Sequence, residues 1–511
     1  MKMNSLFLTD GYKTGHHQQY PKGTNRVYSN WTPRGNKYAP RGCDKVVSFG
    51  QQMVVKWLVD HFDENFFNKP KEEVCGEMKT ELSMYLGTDY DVTHFEDLHD
   101  LGYLPIEVKS IEEGVEVPLR IPMLTVQNTG DFGWVTNFLE TILSNMLWQP
   151  MTSATIALLY KRILMQGAIE TDRHNAAFVD FQGHDFSMRG MGGFMSTILS
   201  GLGHATSFSG SDSLPVIAAS RQYYNEDGFV VASVNATEHS VMCAGTKGDE
   251  LGTFRRLMDT YPTGILSIVS DTWDLWTVVT DYLPALKDEI MSRDGKIVIR
   301  PDSGDPVDIL CGYNSLTTDE FKGKAITVGD AHPANKGLIE LLWETFGGTV
   351  NDQGYKVLDP HIGAIYGDSI TPDRARQIIN RLKLKGFAST NVVLGIGSYT
   401  YQYNTRDTFG FAMKATYVEV EGKGREIFKD PITDDGTKKS AKGLLCVNRN
   451  SLTNVDGEYE LWDMVSSATE KTGELKTIFK DGKFYNETTL SEVRSKVAKL
   501  TKTNKEQLIT K

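Results

Sequence analysis

The sequence predicts an α/β protein in which an irregular (β/α) barrel is joined to a mixed α+β domain. From about residue 155 onward, short β-branched or aromatic runs alternate with helical patterns. The polar ends of the first five runs, at Asp185, Asp212, Glu238, Asp271 and Asp302, lie 26 to 33 residues apart. That interval is the length of one βα unit, so a series of such units indicates a (β/α) barrel rather than an open sheet.

The order of elements divides the chain into three parts. Residues 1–154 mix strand-like runs ("NRVYSNW", "PIEVKSI") with helical ones ("GQQMVVKWLVDHF", "VTNFLETILSNMLW"), and we expect them to form the first part of the mixed domain. Residues 155–399 hold seven strand ends and the helices between them, which predicts the barrel. Residues 400–511 change to antiparallel-type strands with glycine turns, such as "ELKTIFKDGKFYNETTL", and we expect them to complete the mixed domain.

Composition restricts the class of protein. The 511 residues are 40% hydrophobic and 23% charged, with a formal net charge of -12. This sign argues against nucleic acid or an anionic membrane as a partner. The five cysteines are scattered and form no C-x-x-C pair. The apolar run at the start is too short for a signal peptide, and no run reaches the roughly 18 apolar residues of a membrane span. These observations favour a cytoplasmic protein.

The strand ends carry the candidate chemistry, because the active site of a parallel barrel lies at the carboxyl ends of its strands. Polar residues and glycines there are Asp185, Arg189, Asp212, Glu238, His239, Asp271, Arg300, Asp302, Ser303, Asp368, Gly395 and Gly397. Each aspartate alone could be a helix cap. Their convergence on one face of one barrel favours an active site instead.

The residue types narrow the reaction. No lysine stands at these strand ends, which disfavours Schiff-base chemistry, and no H-x-H or H-E-x-x-H spacing indicates a transition-metal site. G-x-S-x-G, Walker and G-x-G-x-x-G motifs are absent from the sequence. Arginines, carboxylates and the turns "YGDS" and "GIGS" suit a phosphorylated pentose with Mg²⁺ held through water.

The motifs also resemble those of the nicotinamide phosphoribosyltransferase family, in order from about residue 9 to about residue 490, which is nearly the whole chain. They are "TDGYKTGHHQQYP", "HDFSMRG", "GSDS", "EHS", "VSDTWD", "IRPDSG", "GDSI" and "FKDPITDDGTKKSAKG". The resemblance implies that nicotinamide and phosphoribosyl pyrophosphate form nicotinamide mononucleotide and pyrophosphate, in NAD biosynthesis. It also implies the fold of a type II phosphoribosyltransferase, a homodimer with shared active sites, and Mg²⁺ held mainly by the substrate pyrophosphate and water.

The same resemblance assigns roles to residues. It implies catalytic roles for His239, Asp271, Arg300 and Asp302, with His239 phosphorylated by ATP as a coupled activator. It places nicotinamide against Phe186, Arg189, Asp212 and, from the other subunit, Tyr12. It places the phosphoribosyl and pyrophosphate groups against Arg34, Arg189, Asp271, Arg300, Asp302, Gly367, Asp368, Gly397, Ser398, Arg406, Lys414, Lys429 and Lys442.

Elementary chemistry agrees with these roles. An aromatic sandwich suits the planar, electron-poor pyridine, and Asp212 can accept from the amide NH₂ while repelling nicotinate. The pyridine nitrogen is the nucleophile, so no general base is needed. Two alternatives stay open: a nicotinate-preferring phosphoribosyltransferase, and a catalytically inactive binding homologue.

Two departures from the family pattern accompany the resemblance. "GIGSY" has fewer glycines than the family's phosphate turn, and Ser369 stands in "GDS" where the family has glycine. We expect phosphate binding to survive with altered affinity, because serine still offers its N–H and a hydroxyl.

Overall fold

The structure, a computed structural model, describes residues 3–313, 318–319, 324–325, 332–430, 432–433, 440–449 and 458–507. The chain forms two compact units. Unit 1 comprises residues 1–155, 218–228 and 404–500, and unit 2 comprises residues 156–217, 229–403 and 501–511.

Unit 2 contains a parallel sheet of seven strands. In spatial order they are Gly210–Ser211, Gly183–Asp185, Val392–Ile396, Ile362–Tyr366, Asp294–Arg300, Thr263–Val269 and Asn235–Ala236. Ala232 links the two edges, because its N–H donates to the Ser209 carbonyl (2.8 Å) and its carbonyl accepts from Ser211 N–H (3.0 Å). The sheet therefore curls into an irregular barrel, and the predicted fold class is confirmed.

Side chains alternate across this sheet as a strand requires. On Asp294–Arg300, Ile297 and Ile299 are fully buried in the core beneath the helices, whereas Val298 and Arg300 line the interior cavity. The β-branched "IVIR" run thus covers the core with one face and places an arginine inside the barrel with the other.

Helices of unit 2 lie between or after its strands, as the alternation of strand and helical patterns predicts. They include Phe194–Ala205, Glu250–Thr260, Pro306–Cys311, Leu338–Phe346 and Pro372–Leu384. The last begins with Thr371, whose hydroxyl accepts from Arg374 N–H, and with Pro372 in the first turn, which is the expected start signal.

The helical pattern over residues 274–293, "DLWTVVTDYLPALKDEIMSR", does not form a single helix. The structure breaks it into Leu275–Thr277, a π-helical turn at Val278–Tyr282, Leu283–Ala285 and Lys287–Met291. Pro284 lies at the break, and proline removes a helical hydrogen bond and crowds the preceding turn.

Unit 1 is built on an antiparallel seven-stranded sheet. Its strands, in spatial order, are Lys423–Glu426, Ala412–Val420, Thr24–Thr32, Leu124–Asn128, Ile106–Ser110, Lys476–Lys480 and Lys483–Phe484. Its helices include Gln51–Phe62, Lys71–Leu86, Thr93–Leu101, the start of Gly133–Thr171 and Leu490–Gln507. The three central strands come from the N-terminal part of the chain, and the two strands on each side of them come from its C-terminal part.

Two-stranded sheets complete the architecture. They are Lys45–Val47 with Glu116–Pro118, Leu444–Arg449 with Tyr459–Val465, Gly348–Val350 with Lys356–Leu358, and Thr318–Asp319 with Lys324–Ala325. Within the described ranges, no helix combines the length and the apolar character needed to cross a bilayer.

Candidate active site

The barrel of unit 2 encloses a cavity of about 580 Å³. Its wall is mainly apolar, and near the carboxyl ends of the strands it carries His184, Phe186, Asp212, Ser233 and Arg300. An apolar cavity with a few convergent polar groups is the usual form of a small-molecule site.

Phe186 is fixed at this end of the cavity. Its N–H donates to the Ile396 carbonyl (3.0 Å), and the Arg300 guanidinium lies 4.9 Å from the ring centroid. A side chain at Gly395 would come within 2.5 Å of the ring, so the ring's position depends on that glycine. The arrangement offers an aromatic surface beside a cation.

Asp212 follows the strand Gly210–Ser211 and faces the cavity. Its Oδ1 accepts from His184 Nε2 (3.0 Å) and from the Ser233 hydroxyl. Burial raises the pKa of Asp212, but these two hydrogen bonds and the charges of His184 and Arg300 outweigh burial and hold the pKa below its ordinary value. Asp212 is therefore an ionised acceptor at neutral pH.

The turn "RPDSG" is organised by Asp271 from the neighbouring strand. Oδ2 of Asp271 accepts from Asp302 N–H (2.8 Å), Ser303 N–H (2.8 Å) and the Ser303 hydroxyl (2.6 Å). Oδ1 of Asp271 and Oδ1 of Asp302 are buried without a hydrogen-bond partner in the described structure. Because unpaired buried acceptors are costly, these two oxygens indicate where polar groups of a ligand bind.

His239 lies beside both carboxylates. Its Nε2 is 4.0 Å from Asp271 Oδ1 and 3.9 Å from Asp302 Oδ2, and its Nδ1 is 3.3 Å from the Thr272 hydroxyl. Half of its side chain is exposed (49%), so the ring remains accessible to a reagent. The structure thus brings together the four predicted catalytic residues, His239, Asp271, Arg300 and Asp302.

Gly367 is packed against this cluster. A Cβ at Gly367 would lie 2.3 Å from Asp302 Oδ1 and 3.1 Å from Arg300 Nε, so only glycine permits the observed approach. The next residue, Asp368, is exposed. Ser369 follows with φ +49°, a conformation that favours glycine, as the family pattern has there.

The second phosphate turn lies at the end of Val392–Ile396. Gly397 precedes the short helix Ser398–Tyr401, and its carbonyl accepts from Thr400 N–H (3.0 Å). Ser398 lies directly against Gly190, since a Cβ at residue 190 would be 2.1 Å from the Ser398 hydroxyl. The departure at Ser398 is thus accommodated by a glycine in the opposite loop.

Two residues predicted to contact nicotinamide, Arg189 and Tyr12, take no part in the contacts described above. Arg189 is exposed in the turn Met188–Gly190, and no hydrogen bond or ion pair joins it to the described residues. Tyr12 belongs to unit 1, is 65% exposed and packs edge-on against His16 with centroids 5.1 Å apart.

The predicted pyrophosphate residues belong to unit 1 and mostly cluster. Burial lowers the pKa of Lys414, Glu140 opposes the shift, and the nearby charges of Arg34, Lys429 and Arg406 lower it further. Such mutual repulsion shows a concentrated positive field, the kind that binds a polyanion.

Lys442 is engaged differently. Its Nζ pairs with Glu426 (3.1 Å) and lies 5.2 Å from the Phe428 ring centroid. Residues 431 and 434–439 of its motif lie outside the described residues.

Sequence reasoning missed several residues of the cavity lining, among them His184, Ser233 and Lys296. His184 lies in the strand Gly183–Asp185, two residues before Phe186, so in extended backbone the two share a face, a signal present in "HDF". Ser233 precedes a strand of only two residues, and the sequence does not mark it. Lys296 lies within the strand Asp294–Arg300 rather than at its end; burial lowers its pKa and Asp359 partly offsets this.

Comparison with known proteins identifies the family. Residues 181–481 match the nicotinate phosphoribosyltransferase (NAPRTase) family, and residues 4–108 match the N-terminal domain of nicotinamide phosphoribosyltransferase. The chain is 49% identical over 510 residues to a nicotinamide phosphoribosyltransferase of Acinetobacter baylyi, covering 97% of each chain. It is 33% identical to the enzyme of that name from Mycoplasma pneumoniae, covering 86% of this chain and 95% of the relative.

A solved structure supports the fold. Human nicotinic acid phosphoribosyltransferase superposes with a TM-score of 0.55 at 15% identity, covering 96% of this chain and 93% of that chain. At this identity the likeness concerns the fold alone. The sequence matches show that the chain belongs to the nicotinamide phosphoribosyltransferase family.

Proposed function

We propose that the protein joins nicotinamide to phosphoribosyl pyrophosphate, forming nicotinamide mononucleotide and pyrophosphate in NAD biosynthesis. The observation that carries the proposal is that Phe186 and the ionised Asp212 line the barrel cavity together with Arg300. Arg300 pairs in turn with Asp302, in the turn that Asp271 holds. This set suits a flat amide-bearing ring attached to a ribose.

The base is held by complementary groups. Phe186 stacks on the pyridine, and Asp212 accepts from the carboxamide NH₂. A carboxylate at the same place would meet the ionised Asp212 and be repelled, so the site favours nicotinamide over nicotinate. Arg189 and, from a second subunit, Tyr12 close over the ring.

The chemistry needs positioning and charge stabilisation. The pyridine nitrogen attacks the anomeric carbon while pyrophosphate departs, and no proton has to be removed from the nucleophile. Asp302 and Asp271 accept from ribose hydroxyls and stabilise the positive charge that develops on the sugar. Arg300 with the turns at Gly367, Asp368, Gly397 and Ser398 holds the 5′-phosphate side.

The departing pyrophosphate is assigned to the basic residues of unit 1. Arg34, Arg406, Lys414 and Lys429 create the positive field described above. Lys442 adds a fifth cation when it leaves its ion pair with Glu426 and binds phosphate instead.

Magnesium fits this site as a companion of the substrate. Among the described residues, no group of three His, Cys, Asp or Glu side chains could hold a metal ion alone. Mg²⁺ commonly binds through substrate phosphates, water and one or two carboxylates, and the buried oxygens of Asp271 and Asp302 would hold such water. When bound, it neutralises charge on the pyrophosphate.

We assign His239 to a coupled ATP-dependent activation. The exposure of the His239 ring supports phosphorylation at Nε2. The added negative charge would then be repelled by Asp271 and Asp302, whose carboxylate oxygens lie 4.0 and 3.9 Å from Nε2, and this repulsion would reorganise the site.

A homodimer and a cytoplasmic location complete the proposal. Large side chains are exposed in both units, among them Tyr12 (65%) in unit 1 and Phe194 (65%) and Leu214 (72%) in unit 2, which supports a protein contact. All five cysteines lie in the described part of the chain and none forms a disulfide, which suits a reducing compartment.

Product analysis tests the function. Purified enzyme with phosphoribosyl pyrophosphate, Mg²⁺ and nicotinamide is expected to release nicotinamide mononucleotide and pyrophosphate in equal amounts. If neither product accumulates, with or without ATP, the protein is a binding homologue and the proposed function is wrong.

A further inference from the structure

We infer that Ser233 and His184 are positioning residues that hold Asp212 with one oxygen occupied and the other presented to the amide of the base. This inference rests on the proposed function and deepens it, because it explains how a single carboxylate selects an amide over an acid.

The backbone fixes Ser233 beside Asp212. Ala232 bonds to Ser209 and Ser211 where the barrel edges meet, and Asp212 directly follows Ser211. The Ser233 hydroxyl therefore reaches Asp212 Oδ1 across the closure of the barrel, and it donates a hydrogen bond there. The two residues are thus held by the same backbone link.

The neighbouring strand fixes His184. His184 lies opposite Gly210 in the parallel pair, and a Cβ at Gly210 would come within 2.7 Å of the ring Nδ1. Because Gly210 has no side chain, the His184 ring can lie against the strand Gly210–Ser211, with its Nε2 3.0 Å from Asp212 Oδ1. An ionised carboxylate only accepts, so Nε2 carries the proton and donates it.

Two donors on Oδ1 leave Oδ2 for the substrate. Oδ2 of Asp212 makes no hydrogen bond within the described ranges, and Asp212 lines the cavity beside Phe186. The paired donors stop rotation of the carboxylate, so a carboxamide NH₂ meets an oriented acceptor. The carboxylate of nicotinate would instead face the negative charge on Oδ2 of Asp212. His184 and Ser233 cannot shield that charge, because both donate to Oδ1.

Steady-state kinetics of Ser233→Ala test the inference. At saturating phosphoribosyl pyrophosphate, we expect the KM for nicotinamide to rise roughly fivefold, as loss of one hydrogen bond implies, with kcat changed less than about twofold. The ratio of kcat/KM for nicotinamide to kcat/KM for nicotinate should fall by a similar factor. Ser233→Thr, which keeps the hydroxyl, should restore both values.

The pH profile adds a readout that a purely structural role would not move. The Ser233 hydrogen bond lowers the pKa of Asp212, so its removal raises that pKa. His184 and Arg300 are the charged groups that face Asp212, and both remain in the variant. Because nicotinamide binding requires the ionised carboxylate, the rise in KM on acidification should begin at a higher pH in Ser233→Ala than in the wild type.

A matched control and two contrary outcomes complete the design. Among the described residues, the Ser292 hydroxyl bonds only to the Glu289 carbonyl, outside the cavity lining, so Ser292→Ala should behave as wild type. An unchanged base preference in Ser233→Ala would overturn the inference, as would equal rises in KM for both substrates that Ser233→Thr fails to reverse. A wild-type enzyme that makes no nicotinamide mononucleotide would instead overturn the proposed function.

Discussion

Asp212 carries the choice of base at the scale of one residue. Asp212→Asn removes the negative charge but keeps the volume, so the carboxamide loses a charged acceptor and nicotinate is no longer repelled. The loss of a hydrogen bond to a charged group, about 1.5–3 kcal/mol, predicts a fall of roughly tenfold to a hundredfold in kcat/KM for nicotinamide.

Initial rates with each base measure this change. The KM for phosphoribosyl pyrophosphate serves as the internal control and should stay within about twofold. If nicotinamide turnover is unchanged in Asp212→Asn, the carboxylate does not read the amide.

Sequence reasoning reached part of the residue-scale picture. Strand-end placement correctly put Asp212, Asp271, Arg300 and Asp302 on one face of the barrel, because parallel strands end at one edge. It could not reveal the bond between Ser233 and Asp212, since that bond depends on closure of the barrel through Ala232.

At the scale of one element, the strand Ile362–Tyr366 and its exit turn shape the ribose wall. Gly367→Ala places a methyl group 2.3 Å from Asp302 Oδ1, so Asp302 or the turn must move. Displacement of a positioned group by about 1 Å predicts a loss in kcat/KM for phosphoribosyl pyrophosphate on the order of tenfold to a hundredfold.

Gly363→Ala on the same strand is the matched control. Its new methyl would lie 3.2 Å from the flexible Lys296 side chain and at an ordinary contact distance of 3.8 Å from Val298, so it should change this constant by less than about threefold. Equal effects of the two substitutions would show that strand disruption, rather than contact with Asp302, is responsible.

Elements were predicted well where their pattern is local. The β-branched runs and the cap at Thr371 mark their strands and helix directly. The strand Asn235–Ala236 is shorter than its run "VVASVNATEHS" suggests, because Ala232 instead pairs with the opposite edge of the barrel. Such tertiary pairing overrides a local pattern.

At the scale of the whole molecule, Glu250 links stability to pH. It is 4% exposed, its Oε1 has no hydrogen-bond partner among the described residues, and burial together with the charge of Asp274 raises its pKa to about 7 from an ordinary 4.5. Between these values the unfolded chain ionises while the folded protein holds the proton, so the free energy of unfolding falls as pH rises.

Glu250→Gln removes the contribution of this carboxyl group to the pH dependence of stability. We expect the free energy of unfolding of the variant to exceed that of the wild type by up to roughly 3 kcal/mol at pH 8 and to equal it near pH 5, as measured by thermal unfolding at both pH values. Glu289→Gln, which alters an exposed pair with Arg255, should shift stability by less than about 1 kcal/mol at either pH. A Glu250→Gln gain that is the same at both pH values would contradict the assignment.

A competition reaction tests the central claim most directly. Equal concentrations of nicotinamide and nicotinate are offered to the wild-type enzyme with phosphoribosyl pyrophosphate and Mg²⁺, and the two mononucleotides are quantified while both bases remain in excess. The ratio of products equals the ratio of the two kcat/KM values, and we predict that nicotinamide mononucleotide predominates. Predominance of nicotinate mononucleotide would contradict the account, because Asp212 would then not exclude the acid.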